Sequence, residues 1–129
     1  MNGEQLTRKK VYAHLPTIVK TILLMSEGYL VGGALRDIHS GEVEPKDYDI
    51  IVPFDRWEFL VNSLKHTNKT FTLNTFGGFK YVLPLTVRGL DTHICVDVWP
   101  AEIGTFLQSH GRSEFLYSLK HNLLLTTLP

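Results

Sequence analysis

Little in this sequence is extreme, and each scarcity closes off a class of function. A single cysteine, Cys95, among 129 residues leaves no intrachain disulfide, no CxxC pair and no zinc-finger spacing. A reducing, cytoplasmic setting is therefore expected. No apolar run approaches the roughly 20 residues that a membrane span requires, and the opening MNGEQLTRKKVYAH lacks a signal-peptide core. No membrane association is expected. Charge of one sign is missing too: 13 basic residues balance 13 acidic ones. That excludes a polycation wrapped around nucleic acid, so any such contact must be local. His14, His39, His66, His93, His110 and His121 are scattered without HExxH spacing, which argues against a zinc site. Repeats, low-complexity tracts and a Pro/Gly/Ser-rich linker are also absent, so residues 1–129 read as one domain.

What is present suits a single core. With 43% hydrophobic residues, a chain of this length buries about two-thirds of its unfolded surface. Residues 17–26 place Ile18, Ile22 and Met25 at helical spacing, with Glu27-Gly28 as the stop. Tyr29-Leu30-Val31 reads as a strand running into Gly32-Gly33, after which Ala34 to Ile38 is helix-forming up to Ser40-Gly41. A loop containing Pro45 leads to a strand over Asp47 to Val52, closed by Pro53. Asp55 is placed to cap the next helix, whose Trp57, Leu60, Val61 and Leu64 form one apolar stripe. Thr70 to Phe76 and Phe79 to Thr86 are β-rich, and Gly77-Gly78 between them suits a two-residue hairpin turn. His93 to Trp99 is a further strand closed by Pro100. Residues 113–125 are expected as a helix capped by Ser113, with a short helix followed by a strand as the alternative. The expected class is α/β (α+β), a mixed β-sheet with helices on one face.

Chemistry concentrates on two strands. A period of two puts Asp47 and Asp49 on one face, and Tyr48, Ile50 and Val52 on the other. Neighbouring carboxylates repel each other, and a divalent cation such as Mg²⁺ between them relieves that; a solvated strand edge is the other explanation. In His93 to Trp99, Ile94, Val96 and Val98 make an apolar face and Asp97 points away from it. If the strands are neighbours, three carboxylates converge, a ligand set for two metal ions about 4 Å apart in phosphoryl transfer. His93 and Cys95 share the face of Asp97. Gly32-Gly33, between a strand and a helix start, lets backbone N–H groups approach an anion, and Gly33 is the glycine expected to need positive φ. Arg36 is placed to reach a phosphate as a charged fork, or to pair with Asp37, Glu42 or Glu44. Lys80 beside Gly77-Gly78 offers an ammonium, although a plain hairpin accounts for the glycines. Arg8-Lys9-Lys10 reads as a solvated basic start.

The run from Tyr29 through Gly32, Gly33, Ala34, Arg36 and Asp37, followed by Pro45 to Val52, resembles the signature of the nucleotidyltransferase superfamily typified by DNA polymerase β. It is most similar to the head domain of CCA-adding enzymes and bacterial poly(A) polymerases: a hydrophobic strand, GG, a small residue, a hydrophobic residue, RD, a gap, then DxD. The likeness is close over residues 29–52 and extends by order of elements to 100, with Asp97 in the place of the third carboxylate. It implies a minimal nucleotidyltransferase fold in which Asp47, Asp49 and Asp97 are catalytic and bind two Mg²⁺ ions, with Mn²⁺ a possible substitute. Gly32, Gly33, Arg36 and Asp37 would bind the NTP. The implied reaction is transfer of a nucleoside monophosphate to an acceptor hydroxyl, RNA 3′ ends being the first choice and a small molecule or protein the others. The rival is an inactive domain of the same fold that binds nucleotide or a protein partner. Two departures are visible. Ala34 stands where many superfamily members have serine, and the 129 residues hold neither the family's further helical domains nor its base-selecting motif.

Overall fold

The computed structural model describes residues 6–41, 44–65, 71–73, 77–110 and 115–125. Expectations that involve Glu42, His66, Thr70, Phe76 and Ser113 fall outside these. The chain runs α1 (Arg8–His14), α2 (Thr17–Ser26), β1 (Tyr29–Val31), α3 (Gly33–Ser40), β2 (Asp47–Val52) and α4 (Phe54–Leu64). It continues β3 (Phe71–Leu73), β4 (Phe79–Val87), β5 (Leu90–Pro100), α5 (Ile103–His110), β6 (Leu116–Ser118) and β7 (Leu123–Leu125). The strands form one sheet in the order β3-β4-β5-β2-β1-β6-β7. Among the described residues only β2 and β5 pair in parallel; every other pairing is antiparallel. The α+β class with a mixed sheet is as expected.

Strand parity divides the molecule. Tyr48, Ile50 and Val52 on β2, with Ile94, Val96 and Val98 on β5, enter the main core under α1–α4. Each fully buried aliphatic there contributes about 1.5–3 kcal/mol. On the opposite face Val31, Ile51 and Leu116 are buried with Trp99, Ile103 and Phe106 packed against them. Thus α1–α4 supply the single helical face that was expected, and α5 is an addition that roofs the other face beside Ile51 and Trp99. Asp47, Asp49 and Asp97 lie on that same face.

Three local expectations need correction. Residues 116–125 are a β-hairpin, not a helix: β6 adds to β1, pairing Leu30 with Tyr117 and Val31 with Leu116. Leu116 goes to one core and Tyr117 to the other. A strand buried on both faces loses its alternation and reads like a buried helix. Asp55 lies within the first turn of α4; Pro53 stands at the N-cap, and no side chain caps the helix there. Gly77-Gly78 is no two-residue turn, because Leu73 pairs with Phe79 and leaves residues 74–78 between the strands. Gly77 does take positive φ, whereas Gly78 is required for close approach, since a Cβ there would run into the Val98 carbonyl oxygen. The tight hairpin is instead Arg88-Gly89, both at positive φ (53° and 79°), which joins β4 to β5. Arg8-Lys9-Lys10, read as a solvated basic start, has Arg8 and Lys9 exposed; the run opens α1 with Thr7 as its cap, and Arg8 Nη1 donates to the Asn122 carbonyl at 2.7 Å.

Tyr48, buried beneath β2, titrates abnormally. Burial, and then the charges of Glu44 and Asp37, push its hydroxyl up to about 12 from 10.0. A raised folded-state value means that the neutral phenol stabilises the fold fully below pH 10. That contribution is lost as pH climbs towards 12, where only the unfolded chain ionises freely. Urea unfolding followed from pH 9 upward should show stability falling over this interval, and Tyr48→Phe should flatten the fall.

Candidate active site

The site is built by register. Parallel pairing sets Asp49 opposite Asp97 and Asp47 opposite Cys95. The ladder is anchored at both ends, where Cys95 N–H donates to the Lys46 carbonyl at 2.8 Å and Ala101 N–H to the Val52 carbonyl at 3.0 Å. β4, antiparallel on the other side of β5, sets Lys80 opposite Asp97. β1 sets Val31 opposite Asp49, so the chain leaves the sheet at Gly32 beside that carboxylate. The three predicted carboxylates therefore share one face of two neighbouring strands. Asp47 is exposed, and Asp49 and Asp97 are half-buried.

Gly32, not Gly33, carries the special conformation. Its φ of 82° and ψ of −153° belong to a region essentially reserved for glycine, and a Cβ there would sit 3.0 Å from Asp49 Oδ2. Gly33 has ordinary φ and begins α3. A Cβ on Gly33 would lie 3.3 Å from Arg36 Nη2, so the guanidinium folds back over the first turn of the helix. The Gly32 turn, the positive end of α3 and Arg36 thus lie together beside Asp49, a combination suited to an anion. Asp37 is placed differently. Its charge acts on the Tyr48 hydroxyl, on the helical side of β2. Gly32→Ala should lower stability by about 1–3 kcal/mol, and Gly33→Ala by less than about 0.5 kcal/mol, as for an unstrained site. Chemical denaturation of the two variants measures both.

The field at the centre of the face is registered by Cys95. Burial first, then Asp47, raises its thiol above 9.0, Lys80 acts in the lowering direction, and Asp97 raises it again. A thiol so held is a poor nucleophile at neutral pH. Among the described residues no three His, Cys, Asp or Glu side chains form a ready-made metal cage. Two carboxylates at paired positions do suit magnesium, which takes one or two protein carboxylates and fills its octahedron with water and substrate phosphates. The donor set fits a metal that arrives with a nucleotide. A cavity of about 340 Å³ lined by Trp57, Val61, Leu64 and Phe79 is elsewhere, since Phe79 belongs to the core beneath the sheet.

Sequence reasoning underused Lys80, which it weighed only with the glycine turn. The signal was its parity with Asp97 across a hairpin, readable once Arg88-Gly89 is taken as the turn.

No protein-family model matches this chain, and no curated protein matches it significantly. Among solved structures it is similar to a CCA-adding enzyme in complex with CTP, with 17% identity over 93% of this chain and a TM-score of 0.56. It is likewise similar to a CCA-adding enzyme in complex with ATP, with 18% identity over 92% and a TM-score of 0.56. The chain spans 32% of the length of each of those chains. None of the described helices is long and apolar enough to cross a membrane. With nearly the whole chain covered at that TM-score, it has a nucleotidyltransferase-like fold of the kind found in CCA-adding enzymes.

Proposed function

We propose that this domain transfers a nucleoside monophosphate from an NTP to an acceptor hydroxyl. The observation that carries the reading is the parallel register of Asp49 with Asp97 beside the Gly32 turn. In the reaction the acceptor oxygen bonds to the α-phosphorus, the bond from that phosphorus to the bridging oxygen breaks, and pyrophosphate leaves while the hydroxyl proton passes to solvent. The chain contributes positioning and charge rather than a covalent nucleophile. Backbone N–H groups at Gly32 and Gly33, with the α3 terminus, cradle the triphosphate, and Arg36 forks onto its outer oxygens. Asp37, next along α3, lies close enough to Tyr48 for its charge to be felt at that hydroxyl. Asp47 and Asp49 face the α-phosphate, and Asp97 faces the incoming hydroxyl. Mg²⁺, held by Asp47, Asp49 and Asp97 together with the nucleotide, would neutralise the charge that develops on the phosphate oxygens.

An RNA 3′ end is the preferred acceptor, and the neutral net charge provides no general RNA affinity that would dictate it. The lack of a preassembled three-ligand cage among the described residues favours one other reading, a domain that binds nucleotide without turnover. Incubation with α-labelled NTP, Mg²⁺ and separate pools of RNA, protein and small molecules decides between them. Label transferred to one pool establishes both activity and acceptor class; nucleotide binding with no transfer establishes the inactive domain.

A further inference from the structure

We propose that Lys80 is the acceptor-side cation of this site, placed to hold a phosphate that the acceptor carries next to its reacting hydroxyl. The proposal rests on the transferase reading and specifies its second substrate. Among the described strand residues, Lys80 is the only lysine or arginine whose register places it on the carboxylate face. Across the sheet the order is β1, β2, β5, β4, so the Gly32 turn and Lys80 flank the carboxylates from opposite sides. Three strand spacings, about 14 Å, separate them, which puts Lys80 beyond a triphosphate seated at Gly32. Lys80 is half-buried opposite Asp97. From there to the hairpin tip the face carries Val82, Pro84, Cys95 and His93, with no acidic side chain before Asp91. α5 roofs the other end. A molecule entering over β4 passes Val82 and Pro84 and meets one ammonium before Asp97, with Asp47 on the far side of β5. A neutral hydroxyl compound has no use for that ammonium, whereas a phosphate beside the hydroxyl does.

A structural cross-strand pair with Asp97 would be the simpler role, and the experiment separates the two. Binding is measured in the presence of Mg²⁺ and a non-hydrolysable NTP, for Lys80→Met, Lys80→Arg and the parent. The two probes are a short single-stranded RNA and a nucleoside 5′-monophosphate, the former representing a nucleic-acid end and the latter a small phosphorylated acceptor. Lys80→Met should weaken the probe that the parent binds by about tenfold, and for RNA it should reduce the salt dependence by about one ion. Lys80→Arg should restore most of the affinity, while NTP affinity stays within about twofold in all three proteins. Unchanged probe affinity in Lys80→Met, a loss of NTP affinity instead, or no binding of either probe by the parent overturns the proposal. Failure of the transferase reading has a different signature: no label transfer by the parent, and NTP·Mg²⁺ affinity unaffected by Asp49→Asn.

Discussion

Asp49→Asn should abolish transfer, lowering kcat by roughly a thousandfold or more, while leaving the protein folded. Asparagine keeps the shape of the side chain beneath Gly32 and removes the charge that pairs across the ladder with Asp97. Loss of a metal-binding carboxylate at the reacting phosphate removes stabilisation that exists mainly in the transition state, so kcat falls further than KM rises. Stability should move the other way. Asp47, Asp49 and Asp97 share one face, so removing one like charge should not weaken the metal-free fold. Thermal melts without Mg²⁺ should place Asp49→Asn at or above the parent. Added Mg²⁺ with a non-hydrolysable NTP should raise the parent's Tm by more than that of the variant. A clear destabilisation of metal-free Asp49→Asn would assign the carboxylate a structural role instead.

Val96→Asp should unfold the protein or prevent its expression. Val96 is fully buried and lies between Tyr48 on β2 and Tyr81 on β4, both in the main core. A carboxylate there meets no partner and costs several kcal/mol, a large part of the roughly 5–15 kcal/mol by which a domain of this size is stable. One residue along, Asp97→Asn should keep the parent's melting temperature and much of its NTP affinity, yet slow turnover by orders of magnitude. A one-residue change of register exchanges the two faces, so the pair of variants tests the strand parity directly. Circular dichroism and turnover measured on both proteins are sufficient. A well-folded Val96→Asp, or normal turnover by Asp97→Asn, would place a different residue on the reactive face.

The parts that could be read in the sequence are those in which one rule acts alone. α2 has a single apolar stripe and a clear stop, and its observed bounds match the expected ones. β2 alternates between charged and apolar residues, so the face of Asp47 and Asp49 followed from parity. Where two rules compete, pattern alone was insufficient. β6 is buried on both sides and imitates a helix. Gly77 and Gly78 look alike in sequence, although one supplies a positive φ and the other a gap for β5. Gly32 and Gly33 posed the same difficulty, and the strained position is the one facing Asp49 rather than the one opening α3. The meeting of Asp49 with Asp97 depends on which strands are neighbours, and no local periodicity contains that information.

The single parallel pair in this sheet also governs when the protein becomes competent. Antiparallel neighbours such as β4 and β5 close through a short turn within microseconds, but parallel strands need a long crossover, here α4, β3 and β4, before they can align. Bringing distant segments together carries a loop-closure cost that local hairpins escape, so β2 and β5 join late. Asp49 and Asp97 come from those two strands. Until that step a refolding chain holds Asp49 and Asp97 apart, and recovery of nucleotide binding at the proposed site should lag behind recovery of helical signal.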